Sequence, residues 1–130
     1  MPLVRIDTLG TDTARLHTLG DAVHQALMDA LGIPPEDRFQ ILTAHDGTTS
    51  TLRHGDHLGI PHDDGVVFIA VTLRTGRTTE QKQHLYRRIA EEAEARAGVE
   101  PRNVVVTLYE NTSPDWSFGH GETQYVTPTT

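Results

Sequence analysis

Three residues have types and positions that could do chemistry together: Pro2 at the start of the chain, and Arg74 and Arg77 in its second half. The chain opens MPLVRIDTLG, and removal of Met1 would leave Pro2 with a free secondary amine. Such an amine is a nucleophile and a base, and neighbouring charges shift its pKa. Taken alone, Pro2 is more simply explained as a strand-initiating residue whose missing N–H is harmless at a sheet edge. The rest of the sequence must decide between these two interpretations.

The second candidate feature is the sequence RTGR, in which Arg74 and Arg77 directly follow the apolar run 66–73. Guanidinium groups bind carboxylates through paired hydrogen bonds, and ligands commonly bind at the carboxyl ends of strands. Two arginines in that position of an acidic protein predict an anionic substrate. The alternative is that both arginines lie in a surface loop and pair with Asp or Glu.

Composition and charge exclude several classes of protein. With 130 residues the chain is long enough for one domain with a real core. Its formal net charge is -7, from 11 Lys+Arg against 18 Asp+Glu, which argues against a nucleic-acid or anionic-membrane surface. Because it contains no Cys, disulfides and cysteine metal sites are excluded. No signal peptide or membrane-length apolar run is visible, so we expect a cytoplasmic protein with no nucleic-acid or membrane partner and no cofactor.

The sequence repeats itself weakly when it is shifted by 66 positions. The matching pairs include Leu19 and Leu85, Val23 and Ile89, Gly10 and Gly76, Gly32 and Gly98, and Pro35 and Pro101. Glycine and proline that recur in register are hard to obtain by chance. The repeat predicts two tandem βαβ units, over about 2–45 and 66–110, within a single domain 1–130.

In the first unit we predict a strand over 2–8, a helix over 12–31 that ends at Gly32 as a left-handed C-cap, and a strand over 38–44. The apolar residues of the helix form one stripe at helical spacing: Leu16, Leu19, Val23, Ala26, Leu27 and Ala30. A strand–helix–strand connection within one sheet is right-handed, so the two strands of a unit should be parallel.

The second unit gives clearer signals. The continuous apolar run 66–73 is typical of a central strand. Thr78 and Gln81 have the spacing of a capping box, which opens a helix that ends at Gly98, and a strand over 104–109 follows. The buried stripe of this helix should consist of Leu85, Ile89 and Ala93.

These units predict an α/β fold with a four-stranded, mainly parallel sheet and two helices on one face. The other face would stay bare, and its aliphatic residues need a partner, so we expect oligomerisation. Residues 46–65 are rich in Gly, His, Asp and Thr and should form a connecting hairpin or excursion. A C-terminal tail, 111–130, carries WSFGHG and a possible short strand.

The N-terminal proline, the two βαβ units and the length together resemble the tautomerase superfamily, and within it the malonate semialdehyde decarboxylases most. The resemblance covers nearly the whole chain. It is carried by MPL at 1–3, PPEDR at 34–38, GRTTEQK at 76–82 and SPDWSFG at 113–119. DWSFG beside an N-terminal proline is the most specific of these stretches. The resemblance implies a tautomerase fold in a homotrimer whose sheets face inward.

The resemblance also implies roles for individual residues. Pro2, Asp37, Arg74 and Arg77 would be catalytic, with the two arginines also binding the carboxylate of a small anionic 3-oxo or unsaturated acid. Further substrate contacts would come from Trp116, Phe118, Leu73 and His24. Without the resemblance, Asp37 reads as a turn residue, the two aromatic residues as packing of the tail, and His24 as a helix-surface histidine.

Other activities remain open on the sequence. The RTGR spacing is more similar to that of the cis-3-chloroacrylate dehalogenases, so the same site could hydrate an acetylenic or halogenated acid, with Asp37 activating water. A keto–enol tautomerase of 2-oxo acids and a non-catalytic, ligand-binding trimer are further alternatives. We expect no metal site from His54, His57 and His62, because their stretch is broken by glycines and exposed.

Overall fold

The computed structural model describes residues 2–47 and 51–126, and within these ranges it contains four strands and two long helices. The strands are β1 (Leu3–Leu9), β2 (Phe39–His45), β3 (Val67–Arg74) and β4 (Val104–Asn111); the helices are α1 (Thr13–Leu31) and α2 (Thr79–Ala97). The predicted strands and helices are confirmed, with small shifts at their ends. None of the described helices is long and apolar enough to cross a membrane.

The two βαβ units are close copies of each other. Helices α1 and α2 begin 66 residues apart and also end 66 residues apart. Asp12 caps α1 with its carboxylate, and Thr78 and Gln81 form the predicted capping box on α2. Both helices end at a left-handed glycine, Gly32 with φ 68° and Gly98 with φ 66°. The weak sequence repeat therefore corresponds to a repeat in the backbone.

The four strands form one sheet in the order β2-β1-β3-β4. Within each unit the two strands are parallel, as predicted. The two units meet through the antiparallel pairing of β1 with β3, in which Leu3 lies opposite Thr72. The sheet is therefore mixed, with one antiparallel pairing between two parallel ones.

Both helices pack on one face of the sheet. The residues of β1 and β3 on this face are at most 2% exposed: Val4, Ile6, Thr8, Val67, Ile69, Val71 and Leu73. The predicted stripes of α1 and α2 pack against them, although Ala30 is only partly buried. The opposite face, which we call the helix-free face, leaves Phe39 46%, Ile41 41% and Tyr109 58% exposed.

The connection predicted as a hairpin is, within described residues 51–65, a tight turn. His57 and Ile60 exchange main-chain hydrogen bonds of 3.2 and 2.8 Å, and Leu58 and Gly59 between them both have positive φ. This is the geometry of a two-residue type I′ turn. Residues 48–50, which the prediction also includes, lie outside the described residues. In the tail, described as far as Val126, turns and a 3-10 segment replace the suggested short strand.

Asp63 fastens this connection to the entrance of β4. Its Oδ1 accepts hydrogen bonds from the Gly65 N–H and the Asn103 side-chain amide, both at 2.8 Å. Its Oδ2 accepts from Arg102 at 2.6 Å. The hydrogen bond from Gly65, followed by those from Arg102 and Asn103, lowers the pKa of Asp63 to about 2. The folded chain therefore favours the ionised form of this carboxyl.

We predict that Asp63 makes the stability of the fold depend on acid. Because its pKa falls from 3.8 to about 2 on folding, its contribution is fully present above 3.8 and is lost as the pH falls through about 2. Asp63→Asn should lower the free energy of unfolding at neutral pH and should lack this part of the acid dependence. Chemical denaturation at a series of pH values across this window measures both effects.

Glu94→Gln is the matched control, since Glu94 is an exposed carboxylate of α2. Its stability should follow the wild-type dependence on pH. If the Asp63→Asn and wild-type curves stayed parallel across the acid window, the fastening role of the ionised Asp63 would be wrong.

Candidate active site

At one end of the sheet, β1 and β2 begin and β3 and β4 end. Leu3 lies opposite Thr72, so the start of β1 lies beside the end of β3. The parallel pairings bring the start of β2 to the same place, with Phe39 opposite Leu3, and also the end of β4, with Asn111 opposite Arg74. We call this the site end of the sheet. The segments that flank these four strand ends therefore converge there.

The turn that follows β3 presents the two arginines. Gly76 has a φ of 123°, a conformation that other residues rarely adopt, so the position between the arginines requires glycine. Nη1 of Arg77 donates to the carbonyl oxygen of Arg74 at 2.8 Å and closes the turn. The Thr75 N–H donates to the Asn111 carbonyl oxygen at 2.7 Å and extends the ladder between β3 and β4. The backbone of the site end thus fixes the guanidinium of Arg77 and the start of the turn.

A cavity of 380 Å³ lies at this turn, and its volume suits a small organic acid. It is lined by Arg74, Thr75, Gly76, Arg77, Gln81, Thr112 and Ser113. Nη1 of Arg74 lies 3.4 Å from the Ser113 hydroxyl oxygen. Gln81 belongs to the first turn of α2, where the helix dipole adds positive potential to that of the arginines. The cavity is therefore suited to an anion.

Within the described part of the chain, neither arginine of the cavity is neutralised by a carboxylate. Other cationic side chains do form such ion pairs: Arg38, Lys82, Arg88, Arg96 and Arg102. Among the described residues, no carboxylate oxygen lies within 4.0 Å of a guanidinium nitrogen of Arg74 or Arg77. The alternative of two loop arginines paired with Asp or Glu therefore does not hold for the part of the chain described.

The positive charge of Arg77 affects the pKa of Glu110, but the hydrogen-bond partners of this carboxylate are other residues. Hydrogen bonds from Lys82 and then from the Thr75 side chain lower its pKa, and the positive charges of Lys82 and Arg77 act in the same direction. Lys82 and Glu110 also form an ion pair. Glu110 therefore stays ionised near the cavity without bonding to either arginine.

Aromatic rings from the tail and from β2 form a wall beside Arg74. Phe118 stacks on Trp116 with ring centres 5.4 Å apart and on Phe39 with ring centres 6.2 Å apart. Tyr125 meets Phe118 edge-on at 5.0 Å, and the guanidinium carbon of Arg74 lies 3.9 Å from the centre of the Tyr125 ring. This cation–π contact holds Arg74 without cancelling its charge. The structure thus joins the predicted Trp116 and Phe118 to one of the predicted arginines.

Pro2 and Asp37 reach the same end of the sheet through strand register. Pro2 is buried and directly precedes Leu3, the first paired residue of β1. Asp37 ends the turn 34–37, in which its N–H donates to the Pro34 carbonyl oxygen at 3.0 Å. Its side chain is half-buried, and among the described residues its carboxylate has no hydrogen-bond or ion-pair partner. Neither residue lines the cavity between the arginines.

Leu73 and His24, which the resemblance implies as substrate contacts, lie in the core. Leu73 is 2% exposed and packs on the helix-covered face of β3. His24 is also 2% exposed, and its Nε2 lies 2.8 Å from the Pro35 carbonyl oxygen, so the interpretation as a helix-surface histidine is wrong. Neither side chain belongs to the lining of the arginine cavity.

The histidines of the connection have separate partners. His54 bonds the Asp64 carboxylate at 2.9 Å, and Nδ1 of His62 bonds the Gly55 carbonyl oxygen at 2.6 Å. Within residues 2–47 and 51–126, no three His, Asp or Glu side chains are grouped as metal ligands would be.

Several residues that contact the predicted site were missed by sequence reasoning, and three of them come from the end of β4 and the tail. Asn111 accepts a 2.7 Å hydrogen bond from Nε1 of Trp116, Ser113 borders the cavity, and Tyr125 carries the cation–π contact. Asn111 could have been found from the parallel register, because it lies opposite Arg74. The sequence gives no signal for Tyr125, since its place depends on the path of an irregular tail.

Known proteins are similar to this one over almost the whole chain. Two family models, each described as a tautomerase enzyme, match residues 37–119 and 2–60. The "Probable tautomerase YrdN" of Bacillus subtilis (strain 168) is 35% identical over 128 residues, which cover 98% of this chain and 98% of that protein.

Solved structures extend the similarity to the backbone. FG41 malonate semialdehyde decarboxylase inhibited by 3-bromopropiolate is 44% identical with a TM-score of 0.86, covering 95% of this chain and 94% of that one. A second malonate semialdehyde decarboxylase is 34% identical with a TM-score of 0.85 and 95% coverage of both chains. A fused 4-OT symmetric trimer, at 21% identity and a TM-score of 0.74 over 92% of this chain and 94% of that one, shares the fold. Since a family model matches most of the chain and a 35% identical relative spans nearly all of it, the chain belongs to the tautomerase superfamily of enzymes.

Proposed function

We propose that this enzyme decarboxylates malonate semialdehyde to acetaldehyde and CO2, with Pro2, Asp37, Arg74 and Arg77 as its catalytic residues. One observation carries the proposal: two arginines without carboxylate partners among the described residues line a small cavity at the end of the sheet where Pro2 precedes β1. The similarity to two malonate semialdehyde decarboxylases supports the choice of substrate.

The arginines bind the substrate carboxylate. Arg77 is held by a main-chain carbonyl, and Arg74 by the Tyr125 ring and the Ser113 hydroxyl, so both guanidinium groups are oriented before the substrate arrives. A carboxylate held by two such groups has a fixed orientation. This orientation aligns the carbon–carbon bond that breaks with the π system of the substrate carbonyl.

Pro2 supplies the electron sink. As a free amine it condenses with the aldehyde to an iminium and releases water; as an ammonium it hydrogen-bonds the carbonyl oxygen. In both routes the bond to the carboxyl group breaks, its electron pair enters an enamine or enolate, and CO2 leaves. The carbon then takes up one proton, and in the iminium route water returns to release acetaldehyde and free Pro2. Both routes require that Met1 has been removed.

Asp37 and the aromatic wall assist at opposite ends of the substrate. A carboxylate near the prolyl nitrogen favours the cationic amine, and the Asp37 carboxylate has no competing partner among the described residues. The stacked rings of Trp116 and Phe118 exclude water beside Arg74, and dry surroundings favour loss of the carboxylate charge as CO2.

Hydration of an acetylenic or halogenated acid is the second candidate activity. One similar structure is described with both decarboxylase and hydratase activities, and the other is inhibited by the acetylenic acid 3-bromopropiolate. The arginines would bind the carboxylate as before, and Asp37 would activate water. The relative named as a tautomerase supports a third activity, in which neutral Pro2 moves a proton between carbon and oxygen.

We infer that the assembled enzyme is a homotrimer. The helix-free face exposes Phe39, Ile41 and Tyr109, and an apolar surface of this kind requires a partner. The symmetric trimer formed by the fused 4-OT, which has the same fold, supports three copies in the assembly.

Removal of either guanidinium should weaken binding of a small carboxylate. We expect Arg74→Ala and Arg77→Ala each to raise the dissociation constant of malonate, an unreactive analogue, by about 10- to 100-fold, because charge-assisted hydrogen bonds contribute roughly 1.5–3 kcal/mol. Arg77→Lys should recover only part of the loss, since an ammonium lacks the planar fork. Isothermal titration calorimetry measures these constants.

Arg87→Ala is the matched control, because Arg87 is an exposed arginine of α2 outside the cavity. It should bind malonate as the wild type does. Equal weakening by Arg87→Ala would mean that net charge, rather than the cavity, holds the anion, and would contradict the proposed role of the arginine pair.

Turnover of malonate semialdehyde tests the proposed function directly. Protein whose free N-terminal Pro2 is verified by mass should release acetaldehyde, followed by proton NMR. Pro2→Ala, Asp37→Asn and Arg77→Ala should each slow the reaction by about 100-fold or more, the usual loss when a group that acts in the transition state is removed. Arg87→Ala should keep wild-type turnover.

If protein with a verified free Pro2 released no acetaldehyde from malonate semialdehyde, the proposed decarboxylase activity would be wrong. Hydration of 3-bromopropiolate or of a 3-haloacrylate by the same preparation would then support the second candidate, and proton exchange at C3 of a 2-oxo acid would support the third.

A further inference from the structure

His24 joins helix α1 to the turn that carries Asp37. The histidine is 2% exposed, and its Nε2 lies 2.8 Å from the Pro35 carbonyl oxygen. Since a carbonyl oxygen can only accept, Nε2 carries the hydrogen of this bond. The turn itself is closed by a 3.0 Å hydrogen bond from the Asp37 N–H to the Pro34 carbonyl oxygen. The imidazole thus reaches the turn from inside the core.

Within the described residues, the other ties of the turn are two main-chain hydrogen bonds of 3.0 Å, from Asp37 to Pro34 and from Arg38 to Glu36, and the exposed Arg38–Asp21 ion pair beside it. Pro34 and Pro35 have no main-chain N–H, and both are exposed together with Glu36. Among the described residues, His24 is the side chain that bonds the main chain of 34–37. Loss of this bond would therefore loosen the turn from the core while leaving the strand register of β2 intact.

The second βαβ unit holds the corresponding turn in a different way. Counted 66 positions on, Ala90 matches His24 and Asn103 matches Asp37. Asn103 is 2% exposed, and its side chain is bonded to Asp63 on both its nitrogen and its oxygen. In that unit the side chain at the end of the turn fastens the turn. In the first unit His24 does the fastening, and the Asp37 carboxylate is left without a partner among the described residues.

We propose that His24 is a positioning residue: it holds the turn 34–37 from the core and so sets the place of the Asp37 carboxylate beside Pro2. The inference rests on the proposed function for the role of Asp37, but the hydrogen bond and the burial that motivate it do not. His24 is buried and is not part of the cavity lining, which favours a positioning role over direct contact with the substrate carboxylate.

A pair of amide variants tests this role. His24→Gln can place its side-chain nitrogen near the position of Nε2, whereas His24→Asn is too short to reach the Pro35 carbonyl oxygen. We expect His24→Asn to lower kcat for malonate semialdehyde by about tenfold with KM nearly unchanged, because misplacement of a reacting group affects the chemical step. His24→Gln should recover most of kcat. A raised KM with unchanged kcat in both variants would indicate a substrate ligand and would overturn the inference.

Hydrogen exchange at the Asp37 amide provides a readout that needs no turnover. In His24→Asn this amide should exchange faster than in the wild type, and His24→Gln should restore protection. Val23→Ala, a cavity variant at the neighbouring buried position of α1, controls for general destabilisation and should not single out Asp37. Unchanged exchange at Asp37 in His24→Asn would overturn the inference whether or not the enzyme is a decarboxylase. Faster exchange in an enzyme that fails to turn over malonate semialdehyde would keep the inference and reject the proposed function.

Discussion

The antiparallel pairing of β1 with β3 is the constraint on which the candidate site depends. Pro2 precedes β1, whereas Arg74 ends β3, so a parallel pairing would separate them by the length of a strand. At about 3.3 Å per residue, a strand of eight residues spans about 26 Å. Antiparallel pairing instead places the start of one strand beside the end of the other. Every proposal that lets Pro2 and the arginines act on one small molecule requires this pairing.

The same repeat creates two similar ends of the sheet, but their side chains differ. Counted 66 positions back, Arg74 and Arg77 correspond to Thr8 and Thr11. Thr8 is buried, its hydroxyl has no hydrogen-bond partner among the described residues, and neither threonine can bind an anion as a guanidinium does. The backbone therefore provides two comparable positions, and a few substitutions make one of them the site end. Fold and function are separable here, as they are in other folds that host many activities.

Local signals predicted the elements because local physics determines them. The capping box at Thr78 begins α2 and the left-handed glycine at Gly98 ends it, both without help from the rest of the chain. The mixed sheet could not be predicted in this way, since the pattern of a strand specifies its faces but not its partner. A helix-surface position for His24 was the simpler prediction, although His24 lies three residues before Leu27 of the apolar stripe, a spacing that puts both on neighbouring parts of the same helix face. Its buried hydrogen bond to Pro35 depends on a turn that the sequence does not place in space.

The partners of the two arginines explain how an acidic chain keeps a cationic cavity. Arg77 bonds a carbonyl oxygen, and Arg74 contacts a hydroxyl and an aromatic ring, all of which are neutral. A carboxylate partner would hold a guanidinium equally well, but a substrate carboxylate would then have to displace it. Glu110 is near enough to be influenced by Arg77, yet its carboxylate is bonded to Lys82 and Thr75. Lys82 holds Glu110 in an ion pair without lining the cavity, and this nearby acid is bonded to Lys82 rather than to Arg77.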